Sequence, residues 1–417
     1  MLLRGQTTSA GRPTGRTGPV TLMATIRPGQ EQPLRDLLVS INNDIEGNPY
    51  IRFEADPFTH FARWFLIETP GHAPRLVFAA TYNGELSRYV DNVVRVSPGL
   101  DEIWGKCEGY TGKASFPDFV RQHAVPSPYR FSAYPYETVE SIRAKMAIRQ
   151  HLEQSFDLEG VPGWLRRPGI APLLDGLASL AVGPSVLSLL ERWRGGAGPA
   201  LANELRRLLL PPVLRATKAY SEFGEPKEYP RLLDIYSDPA KRRAYLEHAQ
   251  ALAANVSPYE QNQLTVLAPV QPGRLLRLRL ALFLGGFMAR YGYPPGELTG
   301  VFTIHALHWV LIDNGKYGIV MSNYDGSWEN YLGDFADKMN YGLDALFNNC
   351  ADYPPGGLNR IEAWGEWIRT AQLVVPLYYS AYPTETALHI GRDRQISGGG
   401  AGRKRAHDAT VRALRLL

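Results

Sequence analysis

Residues 304–313, IHALHWVLID, decide the fold because the chain contains nearly the same stretch earlier, as THFARWFLIE at residues 59–68. His, Trp, Leu and Ile recur in register between the two stretches. Glu68 becomes Asp313, which keeps the charge, whereas Arg63 becomes His308. The pair therefore raises two questions: whether the whole chain is duplicated, and whether the change at this position separates the roles of the two copies.

Four further pairs of segments repeat in the same order, which indicates an internal duplication. SAYP and the following Glu-Thr recur in PYRFSAYPYET (128–138) and PLYYSAYPTET (376–386). The other pairs are ATYNGELSRYV (80–90) with SNYDGSWENYL (322–332), GLDEIWGKCEGY (99–110) with GLDALFNNCADY (342–353), and IRPGQ (26–30) with VQPGR (270–274). The offset stays between 242 and 248 residues.

The repeats divide the chain into five parts. We predict a flexible leader, a first unit, a helical insertion without a counterpart, a second unit and a basic flexible tail. Their respective bounds are 1–19, 20–155, 156–261, 262–391 and 392–417.

Each copy predicts the same elements. TLMATI indicates a strand that ends at a Pro-Gly turn, and QEQPLRDLLVSINN has the apolar spacing of a helix. THFARWFLIE and RLVFAATY indicate the strands of a hairpin, ELSRYVDNVVRV and FPDFVRQHAV indicate helices, and YRFSAY indicates a last strand. The second copy begins with a strand and the helix LLRLRLALFLGGFMARYG. This order, β-α-β-β-α-α-β, is the ferredoxin-like order, so we predict an α+β fold.

A tandem pair of such units resembles the dimeric α/β-barrel superfamily. The resemblance covers about two-thirds of the chain and is nearest in layout to dye-decolourising peroxidases and chlorite dismutase-like proteins. It implies two antiparallel sheets that face each other, form an intramolecular α/β barrel and enclose a pocket. Functions vary widely on one fold, so the activity must be argued from the site.

Composition, net charge and the motifs in the sequence exclude several classes of protein. Hydrophobic residues make up 44% of the chain, charged residues 21%, and the formal net charge is +4. These values indicate a globular protein with no predicted nucleic-acid binding. The two cysteines, Cys107 and Cys350, form no disulfide framework, which favours a reducing, cytoplasmic location. No Walker loop, HExxH, GxSxG or strand-linked GxGxxG motif occurs.

The insertion is rich in Leu, Ala, Gly, Pro and Arg. Its apolar run at residues 170–190 contains Asp175, two glycines and Pro184, and falls short of a transmembrane helix. One interpretation is a helical cap or lid on the barrel. The other is peripheral membrane contact through residues 160–215, or admission of an apolar substrate.

Arg63 and His308 lie at matching positions on one face of their strands, among apolar neighbours. A buried charge or imidazole requires a partner. If this face lines the pocket, the two side chains would bind an anion, and His308 could act as a general acid or base. The alternative is a satisfied pair in the core. His60 in the first copy and His305 in the second lie at matching positions, and we interpret both as structural.

The second candidate site is SNYDG, residues 322–326. Asp325 and Gly326 follow a strand, and Ser327 is suited to cap the next helix. By resemblance, dye-decolourising peroxidases carry a GxxDG motif whose Asp assists peroxide cleavage. Here Ser322 replaces the first glycine, and the first copy has Asn83 instead of the acid. The resemblance also implies a haem with an axial His, for which His389 is the candidate metal ligand and His308 the second.

Two hypotheses about function follow. The first is a haem peroxidase-like oxidoreductase, with Asp325, Arg63 and His308 as catalytic residues and His389 or His308 at the iron. Its substrate would be a small apolar or aromatic molecule contacting Trp309, Tyr324 and Trp328. The second is a cofactor-free protein that binds a lipid or another apolar ligand, with the insertion as a lid or membrane-facing surface.

Overall fold

The structure is a computed structural model that describes residues 16–155, 238–289, 293 and 296–396. The leader before residue 16, the tail after residue 396 and most of the insertion, with the segment predicted to contact a membrane, lie outside these residues. The chain divides into two compact units, residues 1–141 with 214–387 and residues 142–213 with 388–417.

The described parts of the two sequence copies have the same order of strands and α-helices. In the first copy the elements are β1 (Thr17–Thr25), α1 (Glu31–Asn43), β2 (Thr59–Ile67), β3 (Arg75–Asn83), α2 (Leu86–Val96), α3 (Leu100–Trp104), α4 (Phe116–His123) and β4 (Tyr129–Ser132). Two further helices lie between β4 and the second copy in the described residues, α5 (Val139–Ser155) and α6 (Pro239–Ala254). The second copy consists of β5 (Gln261–Pro269), α7 (Leu275–Phe287), β6 (Ile304–Ile312), β7 (Tyr317–Asp325), α8 (Trp328–Lys338), α9 (Asn340–Phe347), α10 (Ile361–Ala371) and β8 (Leu377–Ser380), and α11 (Ala387–Ile396) comes after it.

Local sequence explains several boundaries. Both Pro-Gly turns place glycine in the left-handed region, Gly29 at φ 76° and Gly273 at φ 80°, which a residue with a Cβ rarely adopts. α8 begins where predicted, because the Ser327 hydroxyl accepts a hydrogen bond from the Asn330 amide at 3.2 Å. β1 begins at Thr17, three residues inside the predicted leader.

The eight strands form two four-stranded antiparallel sheets, and the predicted α+β class is confirmed. The strand orders are β1-β3-β2-β8 and β4-β6-β7-β5. The last strand of each copy therefore pairs with the other copy: β8 aligns Tyr378 with Arg63, and β4 aligns Arg130 with His308. This exchange joins the two copies within the first compact unit.

The predicted closed barrel is wrong, because the two sheets are not closed into one. The chain before β4 starts to pair with β1, where the Val125 amide donates to Thr21 O at 2.8 Å. Pro126 and Pro128 then offer no N–H, so the ladder cannot continue and the chain crosses to β6. Pro376 stands in the same place before β8. Isolated bonds, such as Thr17 N to Pro135 O at 2.7 Å, join these edges.

The inner faces of the two sheets share an apolar core. Its members are apolar side chains, eight of which alternate along β2, β3, β6 and β7 while the ninth, Val375, precedes β8: Phe65, Ile67, Val77, Ala79, Val310, Ile312, Ile319, Met321 and Val375. Burial of each large side chain stabilises the fold by roughly 1.5–3 kcal/mol. On the outer faces helices cover the sheets, with Trp309 against Phe347 at 5.1 Å and Phe78 against Trp104 at 6.3 Å between ring centroids.

No helix among the described residues is both long and apolar enough to cross a bilayer. In the second compact unit, Arg149 Nε lies 3.5 Å from Asp393 Oδ2.

Candidate functional site

At one end of the space between the sheets, polar side chains replace the apolar core. The pairing registers of β2 and β6 shift at His60 and at His305, so each histidine is the extra residue of a β-bulge. Strict alternation would put His305 on the outer face with Trp309, but a bulge re-aims the side chain. Both histidines are fully buried and lie beside Phe61, whose ring centroid is 5.4 Å from that of His305.

A continuous chain of hydrogen bonds connects the two copies through these histidines. On one side, His60 Nε2 lies 2.5 Å from Asn83 Oδ1, and His60 Nδ1 lies 2.6 Å from the Tyr382 hydroxyl. On the other side, His305 Nε2 lies 2.5 Å from Asp325 Oδ1, and His305 Nδ1 lies 2.6 Å from the Tyr134 hydroxyl. The two hydroxyls are 3.1 Å apart and complete the chain. We call these six residues the His–Tyr chain.

The number of protons in the His–Tyr chain follows from its geometry. Asn83 Nδ2 donates to Glu137 O at 3.0 Å, so Asn83 Oδ1 is an acceptor and His60 carries its proton on Nε2. Five hydrogen bonds require five protons, but two neutral imidazoles and two hydroxyls provide four. The fifth proton gives either a histidinium with an ionised Asp325 or a protonated Asp325, and donation from the Tyr382 hydroxyl to the Tyr134 hydroxyl corresponds to the first of these. The His–Tyr chain therefore needs one additional proton. Its two neutral imidazoles, its two hydroxyls and an ionised Asp325 do not provide it.

Arg63 is fully buried and reaches from β2 across to the other sheet. Its guanidinium donates to five oxygens on β5 and β7: Gln263 Oε1 at 3.3 Å, Leu264 O at 3.0 Å, Thr265 Oγ1 at 2.8 Å, Ser322 O at 3.0 Å and Asn323 Oδ1. The Tyr378 ring lies 5.8 Å from the guanidinium carbon. Burial lowers the pKa of Arg63 to about 10. The prediction of a satisfied core residue describes this side chain better than that of a free anion ligand.

His308 has the opposite environment. It is buried, yet its Nε2 has no hydrogen-bond partner within the described part of the chain. Burial, and secondarily the positive charge of Arg63, lowers the pKa of His308 to about 3, so the imidazole is neutral at physiological pH. His308 lines a cavity of about 410 Å³ between β1, β4 and α7. This cavity lies where the edges of the two sheets fail to pair.

The cavity corresponds to the space that the Arg63 guanidinium fills in the other half. By the strand registers, Gln263 and Asn323 match Pro19 and Thr81, and both of these matching residues line the cavity. The shorter His308 does not extend across as Arg63 does. The difference between Arg63 in the first copy and His308 in the second therefore explains why the cavity lies in only one half.

Three polar atoms of the cavity wall lack hydrogen-bond partners in the described part of the chain, and two further lining side chains are arginines. Thr17 Oγ1 and Ser132 Oγ are buried without a hydrogen-bond partner among the described residues, as is His308 Nε2. Arg16 and exposed Arg130 also line the cavity, and no described lining residue is acidic. Buried polar atoms without partners are costly, so this wall is suited to a ligand that has hydrogen-bonding oxygens.

The other predicted site residues are dispersed. Asp325 ends β7 and uses both carboxylate oxygens, one for His305 and the other for the Ala387 amide at 2.8 Å. Trp309 is buried on the helix-covered face. Tyr324 is buried and stacks on Tyr331 with centroids 3.9 Å apart, and burial raises the pKa of its hydroxyl.

Trp328 and His389 lie on helices. Trp328 begins α8 and is half-buried; it donates to Gln372 Oε1 at 3.0 Å, and Arg369 lies 4.3 Å above its ring. His389 is half-buried on α11 and belongs to the second compact unit, whereas Asp325, Arg63 and His308 belong to the first. Cys107 and Cys350 are fully buried, and burial raises the pKa of each thiol to about 12.

The arrangement does not fit a haem with peroxide chemistry at one cavity. Arg63 and Asp325 are engaged in internal hydrogen bonds, and neither lines the cavity beside His308. Across the described residues, no three His, Cys, Asp or Glu side chains are grouped as metal ligands. The haem and metal-ligand assignments stay predictions.

Comparisons with protein-family models, with curated proteins and with solved structures give no match for this chain. The site must therefore be interpreted from its own residues. Sequence reasoning missed Tyr134 and Tyr382, although the repeated SAYP segments contained them. Their conservation between copies together with that of His60 and His305 was the available signal.

Proposed function

We propose that the chain binds a small organic anion with an apolar body in the cavity beside His308. The observation that carries the proposal is the asymmetry between the copies: a guanidinium fills the position in one half, and the other half has a cavity with unpartnered polar atoms. Ligand pockets commonly combine an apolar wall with a few polar groups.

Charge favours an anion as the ligand. Arg16 and Arg130 contribute two positive charges, and the described wall has no carboxylate that would repel a negative group. The hydroxyls of Thr17 and Ser132 can donate to ligand oxygens. His308 is neutral and can donate from Nε2 without the cost of burying a second cation near Arg63.

The remaining wall favours an apolar or aromatic body. Its large side chains are Phe131, Phe283, Phe287, Tyr293 and Leu307. A volume of about 410 Å³ lies within the range of roughly 300–1,000 Å³ that is typical of small-molecule sites.

A pair of fluorescent probes that differ in charge tests the proposal. 2-Naphthoate and uncharged 2-naphthamide would be titrated against the full chain. We expect naphthoate to bind at least about tenfold more tightly, since a charge-assisted hydrogen bond contributes more than a neutral one. Equal affinity for the two probes, or no binding of either, would overturn the proposal.

Arg130→Tyr is the matched variant, because Tyr378 occupies the corresponding position in β8 and the fold accepts it there. We expect it to remove most of the preference for naphthoate. Arg121→Gln is the control, since Arg121 is exposed, pairs with Asp118 and does not line the cavity. Arg121→Gln also removes one positive charge, and it should leave the preference for naphthoate over naphthamide unchanged.

We also interpret the two copies as duplicated ferredoxin-like units related to the dimeric α/β-barrel superfamily. The common element order and the exchange of β4 and β8 support this interpretation. A structure of either copy expressed alone would test it, because an independent unit should form a four-stranded sheet of its own.

A further inference from the structure

Helix α7 carries an apolar stripe on its exposed side. Five large side chains at helical spacing, each between 52% and 80% exposed, form this stripe: Leu276, Leu280, Phe283, Leu284 and Phe287. The opposite side of the helix faces the core through Leu278 and Leu282, which are fully buried. A helix with apolar residues on two opposite sides normally has both of those sides covered.

Helix α1 provides an internal comparison. The Pro-Gly turns before the two helices align at an offset of 244 residues, and buried Leu34 and Leu38 of α1 then match Leu278 and Leu282. The residues that match the stripe are all exposed on α1, and four of the five are polar: Gln32, Asp36, Val39, Ser40 and Asn43. The fold therefore does not require an apolar stripe at this position.

The borders of the stripe are basic. At about 100° per residue, Arg277 and Arg279 lie about 80° to either side of its centre line. Helix α7 contains no acidic residue, and Arg274 precedes its first turn. A stripe of Leu and Phe with arginines along both borders is typical of helices that lie in the interface of an anionic bilayer.

We propose that α7 is a docking surface for an anionic lipid bilayer, with the stripe in the acyl region and exposed Arg279 at the headgroups. A protein partner could also cover the apolar side chains, but the basic borders and the absence of acids favour a surface of uniform negative charge. Phe283 and Phe287 of the stripe also line the cavity beside His308, but the proposal does not depend on ligand binding there.

Co-sedimentation of the full chain with vesicles tests the proposal. We expect binding to vesicles of phosphatidylcholine mixed with phosphatidylglycerol, weaker binding to phosphatidylcholine alone, and weakening with added salt. The test variant gives α7 the residues of α1 at all five stripe positions: Leu276→Gln, Leu280→Asp, Phe283→Val, Leu284→Ser and Phe287→Asn. We expect its partition onto anionic vesicles to fall by at least about tenfold.

Two further variants separate the contribution of the arginines on α7 from a general effect of positive charge on vesicle binding. Arg277→Gln with Arg279→Gln should reduce the preference for anionic vesicles while leaving the apolar stripe in place. Arg35→Gln with Arg52→Gln removes two charges elsewhere and should have no effect. Failure of the unaltered chain to sediment with anionic vesicles overturns the proposal. So does a concentration-dependent dimer that the five-fold variant abolishes, because a second copy would then cover the stripe.

Discussion

The hydroxyl oxygens of Tyr134 and Tyr382 lie 3.1 Å apart, and each hydroxyl also contacts Nδ1 of a buried histidine at 2.6 Å. The two tyrosines come from matching SAYP segments that follow strands of different sheets. Their contact is thus the midpoint of a polar connection between the two copies. Burial raises the pKa of Tyr134, so this hydroxyl keeps its proton and can donate.

Replacing Asp325 by Asn and replacing Asn83 by Asp, at the two ends of the His–Tyr chain, should change the free energy of unfolding by different amounts. In Asp325→Asn the new amide can donate to His305 Nε2 while its oxygen accepts from the Ala387 amide. All five hydrogen bonds then form without an additional proton once the bond between the two tyrosines reverses, so that Tyr134 donates to Tyr382. We expect the free energy of unfolding, measured by urea denaturation at pH 7, to change by less than about 1 kcal/mol.

The reciprocal change, Asn83→Asp, should be costly. It places a carboxylate against Glu137 O, where the amide now donates, and adds a second negative charge to a buried network. We expect a loss of about 2–3 kcal/mol in the free energy of unfolding. A result in which Asn83→Asp is tolerated and Asp325→Asn is not would contradict the proton count.

Protonation of His308 should oppose folding in acid. The pKa of this imidazole is about 3 when folded and about 6.5 when unfolded, so the unfolded chain binds the proton more tightly. The stabilisation is complete above about pH 6.5 and is lost as pH falls from there towards 3, by up to about 1.4 kcal/mol per pH unit. His308→Leu should reduce the slope of unfolding free energy against pH in this window. A His308 resonance that titrates near 6.5 in the folded protein, followed by NMR, would be incompatible with this account.

Loss of the Arg63 guanidinium should destabilise the interface between the sheets. Arg63→Leu leaves five acceptors on β5 and β7 without their donor, two of them backbone carbonyls. We expect the free energy of unfolding in urea to fall by about 3–5 kcal/mol. Arg121→Leu, at an exposed position, should change it by less than about 1 kcal/mol. Similar losses for the two variants would show that Arg63 does not connect the sheets as described.

Asp313 should stabilise the fold only while it is ionised. Arg75 donates to both of its oxygens, at 2.5 and 2.9 Å, and Thr69 donates at 2.8 Å. The hydrogen bonds from Arg75 are the main reason why the pKa of Asp313 lies below its usual 3.8, although burial opposes them. The stabilisation is present above pH 3.8 and is lost as pH falls through the lower folded value.

Asp313→Asn tests this ion pair. We expect a loss of about 1.5–3 kcal/mol at pH 7 by urea denaturation, with the difference from the unaltered chain shrinking below pH 3.8. Glu68→Gln is the matched control, because Glu68 occupies the corresponding position in the first copy and is exposed. A loss for Asp313→Asn that does not depend on pH would argue against the ion pair.

Local patterns in the sequence predicted most of the elements, although they missed the helices α3 and α9. The helical spacing of α1 and α7, the Pro-Gly turns, the hairpin of β2 and β3 and the Ser327 cap depend on residues close together in the chain. The duplication also directed attention to Arg63 and His308, whose environments prove to differ. These features were accessible because backbone preference and side-chain periodicity act within a few residues.

Local sequence patterns did not predict the contacts between segments that lie far apart along the chain. Alternation placed His305 with Trp309, because a bulge depends on how the neighbouring strand pairs and not on the strand itself. The partners of Arg63 lie about 200 to 260 residues away along the chain, and the Tyr134–Tyr382 contact joins segments 248 residues apart. A closed barrel was expected from resemblance, whereas prolines before β4 and β8 end the pairing that closure requires.

The sequence by itself determined which segments of the chain repeat and where the repeats differ, since these are matters of residue identity and spacing along the chain. Only the tertiary structure decided which strands cross between sheets, which polar groups find partners and which of Arg63 and His308 faces a cavity. Those outcomes depend on packing across the space between two sheets, where each side chain's environment is built from residues of the other copy.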